Sequence, residues 1–97
     1  MPLYATLINW TDQGVRTVRN TVKRADAVVA AAKKQRCEVR QLLWTMGAYD
    51  ALAIFDAPSD QAMSTLALSI ASQGNVRTLT MRAYEKAEMT KIIAGVR

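Results

Sequence analysis

The segment from Glu38 to Ala57, EVRQLLWTMGAYDALAIFDA, constrains the fold more than any other part of the chain. Its two halves are rich in strand-forming residues, and Gly47-Ala48 between them is the Gly-X pair of a two-residue type II′ hairpin turn. Such a turn needs φ > 0 at the glycine. It also sets the register, with Met46 opposite Tyr49, Thr45 opposite Asp50, Trp44 opposite Ala51 and Leu43 opposite Leu52. One face of the hairpin then carries Val39, Gln41, Leu43, Leu52 and Ile54, with Thr45 and Asp50 at its end. The other carries Arg40, Leu42, Trp44, Met46, Tyr49, Ala51, Ala53 and Phe55. A sheet with helices on one side only should alternate apolar with polar residues, yet here both faces are apolar. Both must be covered, and the simplest cover for the face without helices is a second copy of the chain.

The rest of the chain supplies the other elements. Leu3 to Asn9 reads as a strand, and Thr11 or Asp12 can cap the helix that follows. Val15, Val18, Val22, Ala25, Val29 and Ala32 recur at spacings of 3, 4, 3, 4 and 3, one face of a long helix. That helix ends near Lys33, Lys34 and Gln35, where the helix dipole favours cations. Ala57 to Asp60 makes a loop and a capped start for a second helix, with Met63, Leu66, Ala67 and Ile70 inward and Gly74-Asn75 as its stop. Val76 to Ala83 alternates as a last strand, and Glu85 to Ile93 reads as a short helix. The order βαββαβ with a short helix appended predicts an α+β, ferredoxin-like sandwich, antiparallel sheet order 4-1-3-2, two helices on one face, and a single domain over 1–97.

Composition narrows the possible functions. At 51% hydrophobic and 22% charged residues the chain is globular in character. It shows no apolar run of membrane-spanning length and no signal-peptide pattern, so a cytoplasmic protein without a membrane partner is expected. Its single cysteine, Cys37, has no intramolecular disulfide partner. Arg36 beside it could activate the thiol, but with no base identifiable to pair with it a small core filler is the expectation. With no histidine, the commonest metal ligand and the usual general base are missing. Asp50, Asp56 and Asp60 lack the dense spacing of a calcium loop. No metal and no cofactor are expected. The net charge of +5 is concentrated between Arg16 and Arg40. Without a recognition motif or a row of aromatics, that reads as a solvated helix face, and a nucleic-acid partner is not expected.

The topology brings three separated segments to one end of the sheet: the end of the first strand, the hairpin turn and the start of the last strand. Trp10, Trp44, Tyr49, Asp50 and Arg77 meet there and are the candidate ligand-binding residues, with Asn9 and Asn75 beside them. The backbones of Asp50 and Arg77 should lie about 10 Å apart, two strand spacings. A structural role is available to each: an Asp50–Arg77 ion pair, or an Asp50 carboxylate accepting backbone N–H groups near Asn75, and cross-strand packing of Trp44 and Tyr49 at an oligomer interface. The functional alternative is a small molecule held in a cleft at the sheet/subunit interface.

The stretches LLWTMGAYDALAIFDAPSD and GNVRTLTMRA resemble the GYD domain family, small bacterial proteins named for a Gly-x-Tyr-Asp signature, over nearly the whole chain. The signature positions are Gly47, Tyr49 and Asp50, with Asn75, Val76, Arg77, Thr78, Thr80 and Arg82 in the second stretch. The resemblance implies a dimeric α/β-barrel type of fold and no established activity. Three roles follow as expectations: a homo-oligomeric binding module, a dimer or higher, for a small molecule; a cofactor-independent enzyme of oxygenase or isomerase type using Tyr49, Asp50 and Arg77 in a water-poor pocket; or a purely structural assembly protein. The resemblance assigns no catalytic residues, and fold analogy does not choose among the three.

Overall fold

A computed structural model describes residues 1–97. Strands β1 (Leu3–Trp10), β2 (Glu38–Trp44), β3 (Ala51–Asp56) and β4 (Val76–Ala83) form one sheet in the order β2-β3-β1-β4, every neighbouring pair antiparallel. This is the expected 4-1-3-2 order of the ferredoxin-like α+β sandwich. Helices α1 (Asp12–Arg16), α2 (Thr21–Lys34), α3 (Asp60–Ala71) and α4 (Lys86–Ala94) complete the chain. Ser59 caps α3, its hydroxyl accepting the N–H of Ala62 at 3.1 Å.

The hairpin keeps its expected register at Leu43–Leu52 and Trp44–Ala51, and Gly47 has the left-handed φ of +108°. The strands nevertheless stop at Trp44 and Ala51, leaving Thr45 to Asp50 as a longer connection than a two-residue turn. Thr45 closes it twice, donating its N–H to the Asp50 carbonyl at 2.9 Å and its hydroxyl to the Tyr49 carbonyl at 2.6 Å. Asp50 turns its own N–H away from β2 to the Ile8 carbonyl of β1, at 2.8 Å, and so ends the ladder early.

At the other end of β2 a bulge separates Val39, paired with Phe55, from Gln41, paired with Ile54. The extra residue moves Val39 to the inner face, packed on the core, and not to the face of Ile54 as simple alternation predicts. It also turns Arg40 outward, where its guanidinium meets Asp56 at 3.5 Å and Glu85 at 2.7 Å.

The long first helix is interrupted. A 3₁₀ turn over Val18–Asn20 separates α1 from α2. Thr17 leaves the helical region with φ −111° and ψ 33°, and its carbonyl accepts both the Asn20 N–H at 2.9 Å and the Arg24 guanidinium at 3.0 Å. The break changes the helical phase. Val15, Val22 and Val29, expected to face inward, are exposed, while Val28 and Ala31 pack on the core beside Ala32, which was expected there.

That core lies at the end of the sheet away from the hairpin turn, where Tyr4, Ala53, Phe55, Met63 and Leu66 meet Ala32 and Cys37 under α2 and α3. The opposite face of the sheet carries Leu3, Leu7, Leu52, Ile54, Leu43, Leu79 and Met81, of which Leu43, Leu79 and Met81 are exposed. The doubly apolar sheet read from the hairpin is therefore present, with α2 and α3 on the Trp44 face.

Candidate functional site

Toward the hairpin-turn end, α2 and α3 cover the sheet through small side chains. Ala25 and Ala31 on α2 and Ala51 on β3 stand where a filled core would need larger groups, and a cavity of about 450 Å³ remains. Ile8, Trp10, Leu42, Trp44, Ala51 and Val76 line it from the sheet, Ser69 and Ile70 from α3, and Gln73 from the turn after α3. Eleven of its sixteen lining residues are hydrophobic, the balance of a small-molecule site that shapes an apolar body and orients it with few polar groups.

Those polar groups are positioned by bonds to their neighbours. The Trp44 indole N–H donates to Thr21 Oγ1 at 3.0 Å, which sets the angle of the ring. Arg24 donates from Nη1 to the Thr17 carbonyl and hydroxyl at 3.0 and 2.9 Å, and from Nη2 to the Gly14 carbonyl at 3.0 Å. It joins no carboxylate, since the ion pairs of the chain belong to Arg40 and Arg82. An uncompensated guanidinium at the wall of an apolar cavity favours an electron-rich or anionic group on whatever enters.

The mouth is tied together by the segment after Trp10. Thr11 donates its N–H to the Asn75 carbonyl at 3.1 Å and its hydroxyl to the Gly74 carbonyl at 2.6 Å, while accepting the Gly14 N–H at 3.0 Å. Gly14 is buried so closely against this loop that a Cβ there would fall 1.9 Å from the Asn75 oxygen. Gln13 adds a bond from Nε2 to Asn75 Oδ1 at 3.0 Å.

Asp50 stands behind the site. Its Oδ2 accepts the Trp10 N–H at 2.9 Å, so a side chain takes the place of the backbone carbonyl that the departing hairpin no longer offers. The carboxylate fixes the last residue of β1 and, with it, the indole in the cavity. No Asp50–Arg77 ion pair forms; Arg77 lies opposite Asn9 on the uncovered side of the sheet and is exposed. Tyr49 is exposed at the hairpin tip. The structure thus brings Trp10 and Trp44 together in the cavity with Asp50 holding Trp10 in place, while Tyr49 and Arg77 are not among the lining residues. Thr21, Arg24 and the alanines escaped the sequence reading. The available signal was the alanine-rich stretch from Ala25 to Ala32 in α2.

A second polar cluster occupies the core end. Tyr4 donates its hydroxyl to Asp60, and its pKa is pushed up to about 12 by burial first and by that bond second. Arg82 donates to the Leu3 and Ala83 carbonyls and to Glu88, and its guanidinium lies 4.7 Å from the centre of the Tyr84 ring. Every polar group named here has a protein partner, as expected of a structural network. Cys37 is buried, and burial pushes its thiol pKa up, away from nucleophilic character, in keeping with a core filler. No cluster of three or more His, Cys, Asp or Glu side chains is placed to hold a metal ion. No helix is long and apolar enough to cross a membrane.

Comparison with known proteins agrees with this architecture. The GYD domain model matches residues 4–93. Among solved structures, the chain is similar to 5-chloro-2-hydroxyhydroquinone dehydrochlorinase from Burkholderia phenoliruptrix, solved as a complex with 2,5-dihydroxybenzoquinone. That likeness has a TM-score of 0.64 at 13% identity and covers 88% of this chain and 96% of the other. At that identity the likeness is one of fold. No curated protein matches the chain.

Proposed function

The chain belongs to the GYD domain family, and from that premise we propose that it is a small-molecule binding protein whose ligand is planar and largely apolar, with an acceptor or anionic group at one edge. The ligand would sit between α2, α3 and the sheet, with its ring against Trp10 and Trp44 and its polar edge toward Arg24. One observation carries the reading: both tryptophans of the chain line a single apolar cavity of about 450 Å³, in the size range of ligand pockets. The structural neighbour was solved with a six-membered quinone ring, which makes that compound a sensible first probe. The working unit in this proposal is one domain over 1–97, self-associated through the uncovered sheet face. A buried, unpaired Cys37 suits a cytoplasmic setting. Catalysis through Tyr49, Asp50 and Arg77 has no comparable support, because the Asp50 carboxylate is engaged by Trp10.

Because Trp10 and Trp44 are the only tryptophans and both line the cavity, their fluorescence responds to a ligand bound there. Titration with substituted benzoquinones, hydroxybenzoates and an anilinonaphthalene sulfonate should give saturable quenching or energy transfer for at least one probe. Ala51→Leu, which fills the floor of the cavity, should abolish it without unfolding the chain. Equal responses from parent and variant would place the probe elsewhere and remove the reading.

A further inference from the structure

We infer that the cavity takes an aromatic monocarboxylate and that Arg24 is the residue that selects it; this rests on the reading of the cavity as a ligand site. Arg24 is the one charged side chain among the sixteen residues that line the cavity. The other polar ones, Thr21, Ser69, Gln73 and Asn75, are neutral. A wall with one positive charge and no carboxylate is matched by one negative charge on the ligand. A cation there would meet only repulsion, and a second anionic group would lose its water without gaining a partner.

The guanidinium is held in place and yet not used up. Nη1 bonds the carbonyl and the hydroxyl of Thr17 at 3.0 and 2.9 Å, and Nη2 bonds the Gly14 carbonyl at 3.0 Å. These bonds fix the plane of the group, so little side-chain freedom remains to be lost when a ligand binds. They leave the Nε–H and one Nη2–H without an acceptor in the chain. Arg24 is half-buried, and no unpartnered side-chain nitrogen of such a residue is sealed off, so Nε is reachable. Two N–H groups on one planar fork are what a carboxylate engages with both of its oxygens. A hydroxyl or carboxamide oxygen offers a single acceptor atom without the charge.

The sheet sets the shape of the rest of the ligand. Ala51 of β3 pairs with Trp44 of β2 on one side and with Ile8 of β1 on the other, and all three line the cavity. The two large side chains therefore stand two strand spacings apart, about 9.6 Å, with only a methyl group between them. A flat ring placed there needs two contacts of about 3.5–4.0 Å each, which that spacing provides. The ligand is thus an aryl ring in the slot above Ala51 with its carboxylate on the Arg24 side.

The test is calorimetric titration of the full chain with 2-naphthoate and with 2-naphthamide, which share a ring system and a planar head group and differ in charge. The parent should bind the acid at least about tenfold more tightly than the amide, as a charge-assisted bond predicts. Arg24→Gln should bring that ratio close to one with an unchanged circular dichroism spectrum, and Arg24→Lys, which keeps the charge without the fork, should retain part of it. In the parent itself the Arg24 Nε–H resonance should shift on adding the acid and not the amide, a readout that no effect of the substitutions on folding can imitate. Equal affinity of the parent for both probes overturns the carboxylate and leaves the cavity a ligand site. A preference for the acid that survives Arg24→Gln, with no shift at Nε, overturns Arg24 as the selecting residue. Decanoate bound as tightly as naphthoate overturns the aromatic ring. If neither naphthalene binds while one of the quinone or sulfonate probes does, the inference fails and the cavity reading stands; if no probe binds at all, both fall.

Discussion

A single carboxylate shows how closely structure and site are joined here. Asp50 Oδ2 accepts the Trp10 N–H, so Asp50→Ala leaves a backbone donor without its partner and should lower stability by about 1–3 kcal/mol. It should also loosen the Trp10 indole, seen in denaturant titration together with a shift of tryptophan emission, whereas Tyr49→Phe at the exposed tip should be close to neutral. Gly14 makes a firmer prediction. A methyl group would meet the Asn75 carbonyl at 1.9 Å, so Gly14→Ala should cost about 2–3 kcal/mol by overpacking and displace the mouth of the cavity. Tyr4 sets the alkaline limit. Its pKa is about 12 in the folded chain against an ordinary 10.0. Between those values the unfolded phenol loses its proton while the folded one keeps it, so stability falls as pH rises through that window and is unaffected by this group below it. Comparing parent with Tyr4→Phe across pH 9–12 isolates the effect, since the phenylalanine variant lacks that component of the slope. At this scale strand order alone placed Trp10, Trp44 and Asp50 together at one end of the sheet, where the structure has them. Of the two partners the sequence allowed Asp50, Arg77 or backbone N–H groups near Asn75, the structure has a backbone N–H, that of Trp10; sequence could not choose, because a carboxylate that replaces a backbone acceptor looks the same as one awaiting an arginine.

Element boundaries were legible wherever local chemistry decides them: the Ser59 cap, the positive φ of Gly47, the alternation of β4. They failed where tertiary contacts intervene. The spacing of apolar residues from Val15 to Ala32 suits one continuous helix, but Gly14 is drawn against the Asn75 loop, and the Thr17 carbonyl turns to the Asn20 N–H of the 3₁₀ turn and to Arg24. The chain therefore breaks before α2, and the phase of α2 shifts by about one residue. The bulge at Arg40 does the same to one end of β2. The phase assignment is testable by charge insertion. Val22→Lys, on the exposed side of α2, should change stability by no more than about 0.5 kcal/mol. Val28→Lys, on the core side, should cost several times that amount because it buries an unpaired ammonium group. A continuous helix with the original phase would reverse the order of the two in a thermal or urea melt.

For the whole molecule, what matters is that the sheet separates two apolar surfaces with different work to do. The Trp44 side holds the cavity under α2 and α3, and the Leu79 side lies open. Sequence reasoning recognised that both faces are apolar but put the ligand in a cleft between sheet and partner. Periodicity reports that a face is apolar and says nothing of how tightly helices fill it, so the space left by Ala25, Ala31 and Ala51 could not be read in advance. The two surfaces can be separated with one substitution. Leu79 is opposite Leu7 on β4 and 49% exposed, so Leu79→Lys removes little packing from the single chain while placing a charge at the centre of the proposed interface. The parent should melt at a temperature that rises with protein concentration, as linkage requires of an associating chain, and the variant should not. A ligand held wholly beneath α2 and α3 should bind the monomeric variant with the parent's affinity, because no residue of the open face lines the cavity. Loss of binding in step with loss of association, in a variant whose circular dichroism is unchanged, would mean that the partner completes the site, and would return the ligand to the subunit cleft.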